Sequence, residues 1–192
     1  MNKVKVLLEG YAKIKDDGTW DATSSTTFIN TGSRKIIVDP GCNREMLLEA
    51  LSKEGLKTGD IDYVFVSHYH PDHCTLMGIF ENATVVDSIQ WQKGPLGGDL
   101  KDNKLLDTDI EIVKTPGHTG NHASLLVQAE EGKILVGADV FWWMDNEEQK
   151  VDVDKHDDFA EDMEAIKESR KKALEIADFI IPGHGKMFKV EK

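Results

Sequence analysis

The stretch "SHYHPDHC", residues 67–74, places three of the chain's seven histidines and one aspartate within six positions. It follows "DYVFV", an apolar run typical of a buried strand. His68 and His70 are two positions apart, so an extended backbone directs both side chains to the same side. The proline after His70 favours the first turn of a helix, which would bring Asp72 and His73 to the same place. Imidazole and carboxylate groups crowded in this way suit zinc, iron or manganese.

Three more residues of ligand type stand at the ends of other apolar runs. "IEIVKTPGH" ends in His118, "KILVGAD" ends in Asp139, and "DFIIPGHG" carries His184 near its end. The glycine beside each residue permits tight turns and close backbone approach. A single histidine in such a position is more often a capped or surface residue. Taken together, however, these residues predict that all of them belong to one metal-binding centre. The predicted ligands are His68, His70, Asp72, His73, His118, Asp139 and His184.

These motifs resemble those of the metallo-β-lactamase superfamily. "HYHPDH" matches the signature HxHxDH, and "PGH", "GAD" and "PGHG" follow in the family's order over nearly the whole chain. "IIVDPG" is similar to the family's strand with a supporting aspartate, here Asp39. The resemblance implies two divalent metal ions, zinc first, with iron or manganese as alternatives. It implies that His68, His70 and His118 hold the first ion, Asp72, His73 and His184 hold the second, and Asp139 bridges both.

Alternating strand-like and helix-like segments predict an α/β fold. Eight short β-type runs are bounded by turn residues, and "FINTGSRKIIVD" predicts a hairpin at Gly32 and Ser33. Residues 43–55 and 159–177 follow a helical period, with Asp158 and Glu161 placed as a capping box for the second helix. The resemblance implies a four-layer αβ/βα sandwich. We expect residues 1–192 to form one domain.

The resemblance and the ligand chemistry together predict a metal-dependent hydrolase. Hydroxide bound by the dinuclear metal centre would attack an ester, thioester, lactone, amide or phosphodiester. Asp72 is the candidate catalytic residue, since it could accept the proton that the water loses. Two alternatives stay open. One is a mononuclear iron dioxygenase of the same superfamily, and the other is a non-catalytic, metal-stabilised binding module.

The composition limits the classes of molecule that the protein is expected to bind. The net charge is −12, and no basic cluster offers a footprint for nucleic acid, so nucleic acid is an unlikely partner and a small-molecule substrate is expected. The acidic residues gather in 145–162, where they predict a solvated surface. No apolar run reaches the ~20 residues of a membrane span. The N-terminus does not resemble a signal peptide, which predicts a cytoplasmic protein. The oligomeric state stays open.

Several further residues are candidates near the metals. "VFWWMD" follows Asp139 directly, and we expect one of Trp142 and Trp143 to face the pocket and the other the core. Trp91, in a Gly-rich loop, is a second pocket candidate. His122 is expected to pack beside the ligands rather than to bind metal. Cys42 and Cys74 are predicted to be free thiols, with Cys74 the one nearer the site, and His156 is expected to be exposed.

Overall fold

A computed structural model of the protein describes residues 1–191. Within that range the chain forms fourteen strands, three α-helices and two short 3₁₀-helices at Thr58–Asp60 and Met77–Ile79. The helices are α1 Arg44–Lys53, α2 Pro71–Cys74 and α3 Met163–Ile176. The strands are β1 Lys3–Leu8, β2 Tyr11–Ile14, β3 Trp20–Thr23, β4 Thr26–Asn30, β5 Lys35–Val38, β6 Tyr63–Phe65, β7 Thr84–Val86, β8 Gln90–Lys93, β9 Leu96–Asp99, β10 Glu111–Lys114, β11 Ala123–Gln128, β12 Lys133–Trp142, β13 Phe179–His184 and β14 Phe188–Lys189.

The strands form two main sheets, and each sheet comes from one half of the chain. The first has the order β1-β4-β5-β6-β7-β8-β9, and the second has the order β10-β11-β12-β13-β14. Strands β5, β6 and β7 pair in parallel, as do β12 and β13, while the other neighbours are antiparallel. Strands β2 and β3 pair with each other as a separate hairpin.

The period-two alternation of β5 shows how the layers form. Ile36 and Val38 point into the core between the two sheets, whereas Ile37 points to the outer face, where it packs in one cluster with Leu47 of α1. Each fully buried side chain of this size contributes about 1.5–3 kcal/mol relative to an exposed one. The apolar runs of the sequence are therefore strands that are buried on both faces.

Helix α3 covers the outer face of the second sheet. Its Ala173 packs in one cluster with Leu135 and Ile180 of the sheet. The layers are thus helix, sheet, sheet and helix, and the predicted four-layer αβ/βα architecture is confirmed. No helix within residues 1–191 is long and apolar enough to cross a membrane.

The start of α3 differs from the prediction. Asp162 is the N-cap, and its Oδ1 accepts hydrogen bonds from the backbone amides of Glu164 and Ala165, both at 3.0 Å. Glu161, predicted to belong to a capping box with Asp158, instead accepts from the amide of Gly120. A tertiary contact therefore removes Glu161 from the cap, and the helix begins later than its periodicity indicates.

The hairpin of β4 and β5 is confirmed, with Gly32 at φ +89° in the turn. In two other hairpins, neither strand was predicted. One is β2–β3, which turns at Gly18, and the other is β8–β9, which turns at Gly94. Trp91 therefore lies on a strand and not in a loop. Charged and polar residues interrupt the alternation of both hairpins, so the sequence carries little strand signal there.

Candidate metal centre

The seven predicted ligands lie together at one edge of the two sheets, but Asp139 lies inside its strand and not at the strand end that the sequence predicts. The backbone after β6 carries His68 and His70, and α2 carries Asp72 and His73. The second sheet supplies the other three residues. His118 lies between β10 and β11, Asp139 lies within β12, and His184 ends β13. All seven side chains fall into groups whose ligand atoms lie within 4.8 Å of one another, although the ligand roles themselves stay predictions.

One group contains His68, His70, His118 and Asp139. His70 Nδ1 lies 3.1 Å from His68 Nε2 and 3.0 Å from His118 Nε2, and Asp139 Oδ2 lies 3.2 Å from His118 Nε2. With bonds of ~2.0–2.1 Å to a tetrahedral zinc ion, the ligand atoms would be separated by about 3.3 Å. The observed spacing fits one cation among these four side chains.

A second group contains Asp72, His73 and His184. His184 Nε2 lies 3.2 Å from Asp72 Oδ2, and His73 Nε2 lies 3.3 Å from Asp139 Oδ1. His73 Nε2 and Asp139 Oδ1 are buried without a hydrogen-bond partner in the described part of the chain. Unpartnered buried polar atoms are costly unless something else satisfies them. A cation on these atoms would satisfy both.

Four of the histidines are oriented through Nδ1. The pairs are His68 with Ser67 Oγ at 2.9 Å, His73 with Asp39 Oδ2 at 2.8 Å, His118 with Asp157 Oδ2 at 2.9 Å, and His184 with the Tyr11 carbonyl at 3.0 Å. Carboxylates and carbonyls can only accept, so in three of these pairs Nδ1 must carry the hydrogen. Nε2 then carries the free lone pair. Metal-binding histidines are commonly held in this tautomer. His70 differs, because its Nδ1 faces the neighbouring rings.

Asp39 organises the first half of the site. It follows β5 with φ +47°, an uncommon backbone conformation for a residue with a side chain. Its Oδ1 accepts from the Ser67 amide at 2.8 Å, and its Oδ2 accepts from Ser67 Oγ at 2.6 Å and from His73 Nδ1. This one carboxylate therefore fixes the loop after β6 and the ring of His73, the supporting role that the resemblance implies.

A glycine lets Asp139 enter the space between the histidines. Gly183 of β13 faces Asp139, and a Cβ atom there would overlap Asp139 Oδ1. Ala138 has φ +46°, and the pairing of β12 with β13 shifts at this residue. The irregular backbone and the missing side chain together place the carboxylate where it reaches both groups.

The charges of the site are strongly coupled. Burial would raise the pKa of Asp139, but His73, His184 and His118 hold it well below the usual value. Burial would lower the pKa of His118, but Asp139 and Asp157 raise it to about 9. The pKa of His73 is likewise raised, against burial, by Asp139 and Asp39. Asp139 is thus a buried negative charge among the histidines, which favours a cation at this place.

A cavity of about 430 Å³ opens beside the site, and its walls are mainly apolar. Trp142 lines it, whereas Trp143 packs against Phe141 and donates from Nε1 to the Lys150 carbonyl at 3.1 Å. One tryptophan, Trp142, therefore faces the cavity and the other packs in the core, as expected. Trp91 packs against the core between the sheets and does not line this cavity.

The β2–β3 hairpin supplies the outer wall of the cavity, which the sequence did not predict. Ile14 and Trp20 face each other across this hairpin, and both are largely exposed. The Trp20 ring meets Phe159 edge-on with centroids 5.1 Å apart, and Phe159 meets Trp142 at 5.7 Å. These three aromatic residues, called the aromatic wall below, run from the mouth of the cavity to its floor.

The structure also shows where the two cysteines and the two other histidines lie. Cys42, not Cys74, lines the cavity, and burial raises the pKa of its thiol. Cys74 packs against the apolar cluster that contains Leu47 of α1, and both cysteines are free. His122 lies beside His68 with ring centroids 5.0 Å apart, as expected for a packing residue, and burial lowers its pKa to about 3. His156 is exposed.

Asp157 is the residue near the ligands that sequence reasoning missed. It lies in the acidic stretch that was interpreted as a solvated surface, yet its side chain is fully buried against His118. Its neighbours Asp154 and Asp158 are exposed, in agreement with that interpretation. Nothing in the composition of the stretch distinguishes Asp157 from them.

Comparison with known proteins shows which family the sequence is similar to. Residues 19–89 match the profile of the metallo-beta-lactamase superfamily. The chain is 34% identical to metallo-beta-lactamase domain-containing protein 1 of Xenopus laevis over 200 residues, which cover 100% of this chain and 83% of that protein.

Two solved structures have a similar fold. A Thermotoga maritima protein assigned to the metallo-beta-lactamases superposes with a TM-score of 0.70 at 19% identity, covering 98% of this chain and 99% of that one. A dizinc quorum-quenching lactonase with a bound homoserine product superposes with a TM-score of 0.64 at 20% identity, covering 86% of this chain and 74% of that one.

Proposed function

The chain belongs to the metallo-beta-lactamase superfamily, and from this membership and its site we propose that it is a hydrolase that uses two divalent metal ions. One observation carries the proposal. The two oxygens of Asp139 face different histidine groups, with Oδ2 3.2 Å from His118 Nε2 and Oδ1 3.3 Å from His73 Nε2. A buried carboxylate between two sets of imidazoles is suited to bridge two cations.

Bound divalent cations would supply Lewis acidity that lowers the pKa of water and stabilises negative charge on a substrate oxygen. Asp72 is the group of this chain that could take the proton. It is half-buried at the cavity and lies 3.2 Å from His184 Nε2. Burial opposes its ionisation, but His184 and His73 lower its pKa, so Asp72 is a carboxylate at neutral pH. A carboxylate that keeps one face toward the cavity can both bind a cation and accept a proton.

The shape of the cavity favours a small molecule with an apolar group next to the bond that is cleaved. The aromatic wall and Ile14 form a continuous apolar surface that leads to Asp72 and His184. An ester, thioester or lactone with an acyl chain fits this surface. The dizinc lactonase of similar fold binds an N-acyl homoserine product, which supports the same substrate class for this chain.

The first test measures metal content and turnover on the same sample. We expect about two equivalents of zinc or manganese per chain in protein purified as expressed, measured by plasma mass spectrometry. A panel of chromogenic esters, thioesters, lactones and phosphodiesters should include at least one substrate. Chelation should lower its turnover at least about 100-fold, and added metal should restore it.

Other results would select a different function. One equivalent of iron, with oxygen consumption and no hydrolysis, would indicate the mononuclear dioxygenase. Fully loaded protein that turns over no member of the panel would indicate a metal-stabilised binding module. Turnover that survives chelation would contradict the proposed hydrolase.

A variant of Trp20 tests the aromatic wall. Trp20→Ala should raise KM for a p-nitrophenyl hexanoate about tenfold, because an apolar chain loses a large contact surface at the mouth of the cavity. KM for the acetate ester should stay within about twofold, since a short acyl group does not reach Trp20. Leu96→Ala is the matched control, as Leu96 is equally exposed but lies outside the cavity. Equal changes for both esters would contradict a role in acyl-chain binding.

A further inference from the structure

The acidic stretch 145–162, which lies in the connection between β12 and α3, contains a buried carboxylate among exposed ones. Asp157 is 2% exposed, whereas the Asp158 side chain next to it is 83% exposed. Burying a carboxylate is costly unless partners compensate for the lost water. Its partners therefore indicate why this side chain points inward.

Both oxygens of Asp157 are used. Oδ2 accepts from His118 Nδ1 at 2.9 Å, and Oδ1 accepts from the backbone amide of Phe159 at 3.0 Å. Asp157 thus joins a predicted metal ligand to the backbone of a residue in the aromatic wall.

Arg170 of α3 holds the segment from the other side. Its side chain is buried, and its Nε donates to the Val140 carbonyl of β12 at 3.0 Å. Its Nη1 donates to the carbonyls of Val153 and Lys155, just before Asp157. The backbone that carries Asp157 is therefore fixed between a helix and the strand that carries Asp139.

We propose that Asp157 is a positioning residue of the first metal site, which holds His118 with its hydrogen on Nδ1 and its Nε2 lone pair on the cation. The proposal rests on the proposed function, because it requires His118 to bind a metal ion. A carboxylate partner fixes the ring and makes it a stronger ligand, and loss of such partners typically weakens metal binding 10–100-fold. Metal affinity would then depend on a segment that contains no residue of the ligand motifs.

The experiment compares Asp157→Ala, Asp157→Asn and the control Asp158→Asn. Zinc affinity is measured for both equivalents by competition with a chromophoric chelator. We expect Asp157→Ala to weaken one equivalent at least about tenfold and to leave the other within about threefold. Asp157→Asn keeps an acceptor oxygen but loses the charge, so its loss should be smaller. Asp158→Asn should bind zinc like the wild type, since Asp158 faces solvent.

Cobalt substitution distinguishes a role of Asp157 in positioning His118 from a role in stabilising the fold alone. The visible spectrum of cobalt at the first site should shift in Asp157→Ala, because the ligand geometry around the ion changes. A structural role alone would lower the melting temperature of the metal-free protein and leave this spectrum unchanged, which would overturn the proposal. Unchanged affinity for both equivalents in the folded variant would overturn it as well.

Two further outcomes are distinguishable. If circular dichroism shows that Asp157→Ala is unfolded, Asp157→Asn decides by the same measurements: weakened binding of one equivalent with a shifted cobalt spectrum supports the proposal, and wild-type values overturn it. If the wild type itself binds no zinc, the proposed function fails, and the positioning role fails with it. A wild type and an Asp157→Ala variant that both bind two equivalents equally well refute the positioning role and leave the proposed function intact.

Discussion

Asp139→Asn is expected to lower kcat/KM for the best substrate by at least about 1,000-fold and to remove one of two bound metal equivalents. The amide has nearly the shape of the carboxylate, so Gly183 still accommodates it. It carries no charge, however, and its nitrogen cannot bind a cation. The two oxygens that now face His118 and His73 would be reduced to one.

The measurements are metal content by plasma mass spectrometry and steady-state kinetics with saturating metal. Asp145→Asn is the control, since Asp145 lies shortly after Asp139 on the exposed side of the chain. It should keep both metal equivalents and wild-type kinetics. A folded Asp139→Asn protein with two equivalents and more than about a tenth of wild-type activity would show that Asp139 does not bridge.

Arg170→Met should lower the free energy of unfolding of the metal-free protein by about 2–3 kcal/mol. The methionine fills much of the volume of the arginine but donates no hydrogen bonds. The buried carbonyl of Val140 would lose its side-chain donor, and the part-buried carbonyls of Val153 and Lys155 would lose theirs. Unsatisfied buried groups cost about 1–3 kcal/mol each, and partial relaxation of the segment reduces the sum.

Urea unfolding followed by circular dichroism gives the free energy for this variant. Lys171→Met is the matched control, because it removes a positive charge from the next residue of the same helix, where the side chain is 60% exposed. Its free energy of unfolding should change by less than about 0.5 kcal/mol. A loss below about 1 kcal/mol for Arg170→Met would mean that the segment is held mainly by its other contacts.

The sequence predicts the candidate ligands because their signal is local. His68 and His70 are spaced to point one way from an extended backbone, and Asp139 follows directly on an apolar run. Strands buried on both faces are continuous apolar runs, so most of the buried strands can also be predicted, although their order in the sheets cannot be read from such runs. Their assembly into four layers agrees with the resemblance to a known family.

Other features depend on contacts between distant residues and carry no local pattern. In the sequence, Asp157 does not differ from the neighbouring acidic residues. Its role results from its contact with His118 and from the link that Arg170 makes between α3 and β12. Trp20 lies in a hairpin with weak alternation, and its part in the cavity depends on Phe159 from the other half of the chain. The start of α3 was predicted too early because the Gly120 amide binds Glu161. Each of these differences results from tertiary contacts that override local preference.

The two sheets come from successive halves of the chain, joined by residues 100–110, of which 101–104 are exposed. Each predicted metal site takes ligands from both halves, His68 and His70 with His118, and Asp72 and His73 with His184. Neither half could form a complete site as a separate fragment. A split version of the protein, cut in this connection, would therefore need its two pieces to associate before it could retain ions tightly, and the ions would in turn favour the association.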